Sequence, residues 1–309
     1  MSDRQIQIER AQNLWASFTR SIEPMARSIT VEADPDQTFD GIGGLASAKD
    51  EILTYAYAAT KPQIYSNWGT FPPSGMLLIG ASGCGKRMLV QALASWTQGS
   101  FVYIDVPRLA VDMIHSGGKA GEFIQKWGQI LEETPPVTLF FDELEFSQTH
   151  DLGERRADLP VGPIMDFLLE LIDGAIASGR HLVVGSTAHP DTLRQAFARP
   201  GRLERFVEVT PSFPDDVVEA LEIHAKLAES RAGRPLFSEI DWKHALGQTE
   251  QGGIGDWVRV LHAVLRKKAR LEAAGEEPSL ITDADLGQEI VRFNQARRRI
   301  HQQGGGNYV

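Results

Sequence analysis

One cysteine, Cys84, stands among 309 residues, so no internal disulfide can form, and it has no companions for a zinc site. It lies in a glycine loop that needs a small side chain, a steric reading that outweighs redox sensing. The eight histidines are scattered and form no His-Glu-x-x-His, which excludes a zinc protease of that type. Long apolar runs are lacking too: Met76 to Ile79 and Val137 to Phe141 fall far short of the ~20 residues that a membrane span needs. No apolar segment of the secretory kind follows Met1-Ser2-Asp3-Arg4-Gln5, so the expectation is a cytoplasmic protein with no membrane partner. Positive charge is in deficit. A formal net charge of −10 opposes attraction to nucleic acid, leaves only local basic spots such as Arg297-Arg298-Arg299, and points to protein partners. With 42% hydrophobic residues the chain can bury one large core or two modest ones.

What the chain does carry is a phosphate loop. Gly80-Ala81-Ser82-Gly83-Cys84-Gly85-Lys86-Arg87 matches a P-loop at every position but the last. Its glycines let backbone N–H groups wrap a nucleotide's phosphates, and Lys86 adds an ammonium. Gly80, Ser82, Gly83, Cys84, Gly85, Lys86, Arg87 and the following Met88 are therefore the expected contacts for ATP. A Ser or Thr after the lysine normally gives Mg²⁺ an oxygen, and Arg87 has none to give. Three outcomes are open: Arg87 repels Mg²⁺, it neutralises phosphate oxygens in place of the metal, or it turns outward and water completes the metal's shell.

Met76-Leu77-Leu78-Ile79 leads straight into the loop and Met88 to Trp96 has helical spacing, which gives strand, loop, helix. Further β-rich runs stand at 101–104, 137–141, 181–185 and 205–209, with helical stretches at about 119–133 and 163–174. Such alternation predicts an α/β fold, a parallel five-stranded sheet covered on both faces by helices. After Pro211-Ser212-Phe213-Pro214 the pattern is helical, over about 216–231, 238–246, 255–274 and 283–300, which predicts a small all-helical lid domain. The expected organisation is an N-terminal helical segment 1–36, the α/β nucleotide-binding domain 37–213, the lid 214–298 and a flexible tail 299–309. Ile8, Ala11, Trp15, Phe18, Ile22, Met25 and Ile29 alternate three and four apart. That spacing fits a coiled-coil seam or, the plainer reading, an amphipathic helix packed on its own domain or a neighbour. Pro24 breaks the pattern, and Ser21 is placed to cap a new helix from Ile22.

Val137-Thr138-Leu139-Phe140-Phe141-Asp142-Glu143 sets two carboxylates at the end of a buried strand about fifty residues beyond the loop, a Walker B element. A parallel sheet brings that strand end beside the P-loop. Asp142 is then suited to hold Mg²⁺ through water, and Glu143 to polarise the water that attacks the γ-phosphate. To these motifs the chain adds Thr38-Phe39-Asp40-Gly41-Ile42-Gly43-Gly44-Leu45, Ser186-Thr187-Ala188-His189-Pro190-Asp191 and Arg199-Pro200-Gly201-Arg202. Together they resemble an AAA+ ATPase, with a P-loop NTPase core, of the AAA subgroup that includes proteasomal regulatory ATPases and protein unfoldases. The likeness covers about residues 38–295. It implies that Ile42 and Gly43 grip adenine through their backbone, that Glu222-Ile223-His224 closes over it, and that Gly253-Ile254-Gly255-Asp256 is a lid turn near the nucleotide. It also implies that Arg199 and Arg202 are arginine fingers for the γ-phosphate held by a neighbouring subunit. A ring follows, hexameric, homo-oligomeric or mixed with a related ATPase, acting on a protein substrate. A guanidinium delivered across an interface stabilises the charge that builds on the phosphoryl oxygens only once subunits assemble.

The chain departs from that family at several places. Where the family's first sensor is an Asn that orients the attacking water, Ala188 stands here. Losing one oriented donor costs about 2.7 to 4 kcal/mol, roughly a hundred- to a thousand-fold in rate, unless Thr187 or His189 replaces it. The stretch matching the substrate-gripping pore loop, Met113-Ile114-His115-Ser116-Gly117, has no aromatic residue, leaving Ile114 or His115 in its place. The end, Gly304-Gly305-Gly306-Asn307-Tyr308-Val309, is similar to tails by which proteasome activators dock on a protease ring, with Asn307 where many are hydrophobic. For Tyr308-Val309 an ordinary frayed terminus is the alternative. Residues 146–162, rich in charge, are expected to form a loop near the pore or an interface. The leading reading is a ring-forming ATPase that remodels or unfolds proteins, with slow hydrolysis carried by Glu143, Asp142, Lys86, Arg199 and Arg202. The alternative is a catalytically weak, ATP-binding structural or adaptor subunit. The acidic balance disfavours a nucleic-acid motor.

Overall fold

The structure, a computed structural model, describes residues 3–23, 25–146, 160–247 and 253–304. The chain divides into two compact units, one of residues up to 39 with 46–81 and 86–209, the other of residues 40–45, 82–85 and from 210 onward.

The first unit is built on six strands: β1 (Ile29–Glu32), β2 (Met76–Ile79), β3 (Ser100–Asp105), β4 (Val137–Asp142), β5 (Leu182–Thr187) and β6 (Arg205–Glu208). Their spatial order is β1-β3-β4-β5-β2-β6. The last five are parallel, as the sequence predicts. The first corrects the expected all-parallel five-stranded sheet: β1 pairs antiparallel with β3, Ile29 opposite Ile104 and Glu32 opposite Phe101. Four residues of period two are too short to stand out against the helical spacing that ends on Ile29.

Buried strands of a covered parallel sheet read as continuous apolar runs, and β4 splits its side chains between two faces as the pleat requires. Leu139 and Phe141 enter the large core with Val102 and Val183, while Phe140 packs against Phe101 and Tyr103. The helices of this unit are α1 (Asp3–Ser21), α2 (Ala46–Thr60), the short α3 (Pro62–Asn67), α4 (Lys86–Trp96), α5 (Val106–His115), α6 (Ala120–Glu133) and α7 (Val161–Ala177). Along α1, Ala11, Trp15 and Phe18 are buried. Trp15 meets Phe18 and Trp127 edge-on with centroids 5.5 and 5.9 Å apart, and Phe18 meets Phe123 at 5.7 Å. The N-terminal pattern is thus an amphipathic helix packed on its own unit. The chain turns after Ser21, and a 3-10 segment, Met25–Ser28, stands where a new α-helix from Ile22 is expected.

The second unit holds α8 (Asp215–Ala232), α9 (Trp242–Leu246), α10 (Ile254–Ala273) and α11 (Asp283–Gly304). They enclose a core of Val217, Leu221, Leu246, Trp257, Leu261 and Leu286. Aspartates 215 and 216 in the first turn of α8 complement its dipole, and Gly233, at φ 65°, ends it in the left-handed conformation that glycine accepts freely. The helix expected at 238–246 is confined to its last five residues because Phe237 instead bridges to Ile281, and Ser238 N–H donates to the Ile281 carbonyl at 2.9 Å. Among the described residues no helix is long and apolar enough to cross a membrane.

Candidate functional site

In the first unit the C-terminal strand ends gather the chemistry. Ile79, the end of β2, is in register with Thr187 on β5, and Phe141 on β4 with Gly185, so Gly80, Asp142 and Thr187 lie along one edge of the sheet. Open α/β sheets bind ligands at this edge. The Gly80 N–H donates to the Thr187 carbonyl at 3.1 Å. Lys86 opens α4, is nearly buried, and donates from Nζ to the carbonyls of Gly80 and Ala81 at 2.6 and 3.0 Å. Met88 follows it, half-buried.

Glu143 leaves β4 at φ 59°, a left-handed conformation unusual for a residue with a side chain and characteristic of strained functional positions. Its N–H donates to Ser186 Oγ at 3.2 Å. Burial, then the neighbouring charge of Asp142, raises its carboxyl above the ordinary range, which suits a group that takes a proton. Asp142 accepts at both oxygens, from Ser186 Oγ at Oδ1 and from the Tyr103 hydroxyl at Oδ2, the latter at 3.3 Å. Tyr103 in turn lies under Arg87, whose Cζ is 4.2 Å from the ring centroid, and Arg87 Nη2 reaches Glu32 Oε1 at 3.4 Å. Burial and the carboxylate of Asp142 raise the Tyr103 phenol, keeping it a donor.

This arrangement bears on magnesium, which takes near-octahedral oxygens at about 2.0–2.1 Å. Residue 87 offers none, and both oxygens of Asp142 already accept from protein donors. No group of three or more His, Cys, Asp or Glu suited to a metal ion occurs among the described residues. The residues present do not fit a magnesium ion held by the protein.

In the second unit Ile42 and Gly43 are buried. A Cβ on Gly43 would stand 2.2 Å from Ala220 N, so only glycine allows this backbone so near α8. The Leu45 N–H donates to Asp216 Oδ2 at 3.1 Å. Gly255 N–H donates to the Gly83 carbonyl at 3.0 Å, and a Cβ on Gly253 would meet Ser82 O at 3.3 Å, so the turn before α10 lies against Ser82 and Gly83. Cys84 is buried and Gly85, at φ 103°, has a conformation that favours glycine. His224 meets His262 edge-on at 6.1 Å beside a cavity of about 450 Å³ that Arg231 and Lys268 also line. Burial, then the charge of His262, lowers its imidazole pKa.

The two arginines expected to act as fingers differ. Arg199 is exposed and makes no ion pair or side-chain hydrogen bond among the described residues. Arg202 is bound within its own unit, donating from Nε and Nη2 to Asp173 at 2.7 Å each and from Nη1 to the Ala196 carbonyl at 2.8 Å. At the sensor position the Ala188 N–H donates to Glu145 Oε1 at 2.8 Å, Thr187 is buried with its hydroxyl accepting the His189 N–H at 3.1 Å, and His189 is exposed. In the stretch matched to the pore loop, Ile114 packs on the core and His115 is exposed at the end of α5. Tyr308, Val309 and most of 146–162 lie outside the described residues.

Sequence reasoning misses Tyr103, Ser186 and Glu145. Glu145, two residues beyond Glu143, is 3% exposed, and its Oε2 has no partner among the described residues. A third acidic residue two positions beyond the Walker B pair is a signal for it. Tyr103 and Ser186 carry none, because strand pairing alone brings them to Asp142.

Residues 76–211 match the model of a family described as ATPase family associated with various cellular activities (AAA). The chain is 28% identical over 226 residues to proteasome-activating nucleotidase 1 of Haloferax volcanii, covering 72% of this chain and 55% of that protein. With the proteasome-activating nucleotidase of Methanothermobacter thermautotrophicus it shares 30% over 221 residues, 71% of this chain and 52% of the other. With the cell division cycle protein 48 homolog of Archaeoglobus fulgidus it shares 28% over 237 residues, 75% and 30%. It spans about half the length of the two nucleotidases.

Proposed function

The chain belongs to the AAA ATPase family, and from that premise we propose a ring-forming ATPase that binds ATP where protomers meet and remodels or unfolds protein substrates, with slow intrinsic hydrolysis. The observation that carries this reading is the gathering of Lys86, Asp142 and the strained, proton-affine Glu143 at one sheet edge. Lys86 and the loop's N–H groups hold the β- and γ-phosphates. Glu143 takes the proton of a water that attacks the γ-phosphorus, the bond to the bridging oxygen breaks, and ADP and phosphate leave. Arg199 of one protomer stabilises the charge that builds at the next. Ile42, Gly43 and His224 hold the adenosine end, and Gly253 shapes the turn at the loop. Turnover is slow because Ala188 offers the water no side-chain donor, a loss of roughly a hundred- to a thousand-fold.

Relatives named for proteasome activation support a protease ring as partner; docking through Tyr308 and Val309, and a cytoplasmic setting, belong to the proposal. The ring is homo-oligomeric or shared with a related ATPase. A second reading, an ATP-binding structural or adaptor subunit, is favoured by Arg202, since Asp173 holds this finger within its own chain. ATP turnover per subunit, measured against protein concentration for the native chain and Arg199→Ala, separates them. The remodeller requires a rate that rises with assembly and falls about 10³-fold in the variant with nucleotide binding kept. A rate near zero at every concentration, with ATP bound, leaves the adaptor, and absence of ATP binding refutes both.

A further inference from the structure

Arg87 and Asp142 stand at the two positions from which a P-loop protein normally manages its magnesium, and both are engaged with protein groups. The Arg87 guanidinium lies 4.2 Å from the Tyr103 centroid and 5.9 Å from that of Phe101. Its charge is shared with Glu32, at 3.4 Å, a carboxylate that Gln91 Nε2 also holds at 3.0 and 2.9 Å. The hydroxyl of the same Tyr103 donates to Asp142 Oδ2 at 3.3 Å, and Ser186 Oγ donates to Oδ1. Cation, ring and carboxylate form one continuous stack across β1, β3 and β4.

We propose that this site takes its nucleotide as the metal-free polyanion, with a fixed guanidinium serving where a divalent cation serves elsewhere. The inference rests on the nucleotide reading above and concerns the same loop. Lys86, Arg87 and the N-terminal N–H groups of α4 put positive charge at the phosphates without any ion. Free ATP carries about twice the negative charge of its magnesium complex, so fixed cations attract it more strongly. Binding the hydrated cation as well would leave Asp142 only the lone pairs that Tyr103 and Ser186 do not use, with no oxygen at residue 87 to complete the shell. Tyr103 is the positioning residue of the device, carrying the stacked cation on its face and the carboxylate on its hydroxyl.

The test is equilibrium binding of a fluorescent ATP analogue, read by anisotropy, in excess magnesium chloride and in excess EDTA. The native chain is expected to bind within about threefold in the two buffers, or tighter in EDTA, whereas Arg87→Thr, at an exposed position, is expected to bind about tenfold or more tighter with magnesium. Tyr103→Phe, which keeps the ring and removes the donor to Asp142, is expected to fall between them. A native chain that loses about tenfold or more of its affinity in EDTA overturns the proposal while leaving the nucleotide reading intact. Arg87→Thr matching the native chain in both buffers also overturns it. Absence of binding in either buffer overturns both.

Discussion

Trp15 tests whether the N-terminal helix belongs to the core of its own chain. The side chain is 1% exposed and touches Phe18 and Trp127 edge-on. Trp15→Ala removes an aromatic body from a packed core and is expected to cost about 3–5 kcal/mol. For a unit of this size that lowers the melting temperature by roughly 6–20 °C. Its indole N–H finds no partner among the described residues. Trp15→Phe therefore gives up contacts and at the same time removes a buried donor, and its expected cost is only about 1–2 kcal/mol. Urea and thermal unfolding followed by far-UV circular dichroism measure both variants, and sedimentation reports their assembly. Trp15→Ala within about 1 kcal/mol of the native chain refutes the packing described here. Unchanged unfolding together with lost assembly shows the helix to be a seam between copies.

The raised carboxyl of Glu143 means that the folded chain binds this proton more tightly than the unfolded one, so the group costs stability as pH rises from the ordinary carboxylate range through its raised value. At pH 7 Glu143→Gln is expected to melt above the native chain while hydrolysing ATP at least about a hundred-fold more slowly, and a native melting temperature at that pH contradicts the burial argument. Gly43→Ala places a methyl 2.2 Å from the backbone nitrogen of Ala220. The expected cost is about 1–3 kcal/mol in the second unit, seen as faster amide exchange along 215–232, and unchanged exchange there refutes the close approach.

The five parallel strands are legible because each is a short apolar run beside a glycine loop, a carboxylate pair or a turn. Less legible is α2, whose buried face is largely Ala48, Ala56 and Ala58 and so carries little hydrophobic contrast. β1 is hidden behind the heptad-like spacing that runs into it. Within the site, Lys86, Asp142 and Glu143 are legible because their motifs are contiguous. Tyr103 and Ser186 are not, for β3 and β5 flank β4 and only register, Asp105 beside Asp142 and Phe141 beside Gly185, sets them at the same carboxylate. The partner of Arg202, Asp173, likewise comes from a separate helix.

Because Glu32 arrives on β1, residues 29–32 are part of the sheet that carries the phosphate loop. A shortened core starting at residue 37 would strip the outer rim of β3, leaving bare amides and carbonyls open to any passing chain, the usual beginning of sticky behaviour. It would also deprive Arg87 of its counter-charge. Trimming the front of the molecule therefore alters the electrostatics of a loop some fifty residues downstream.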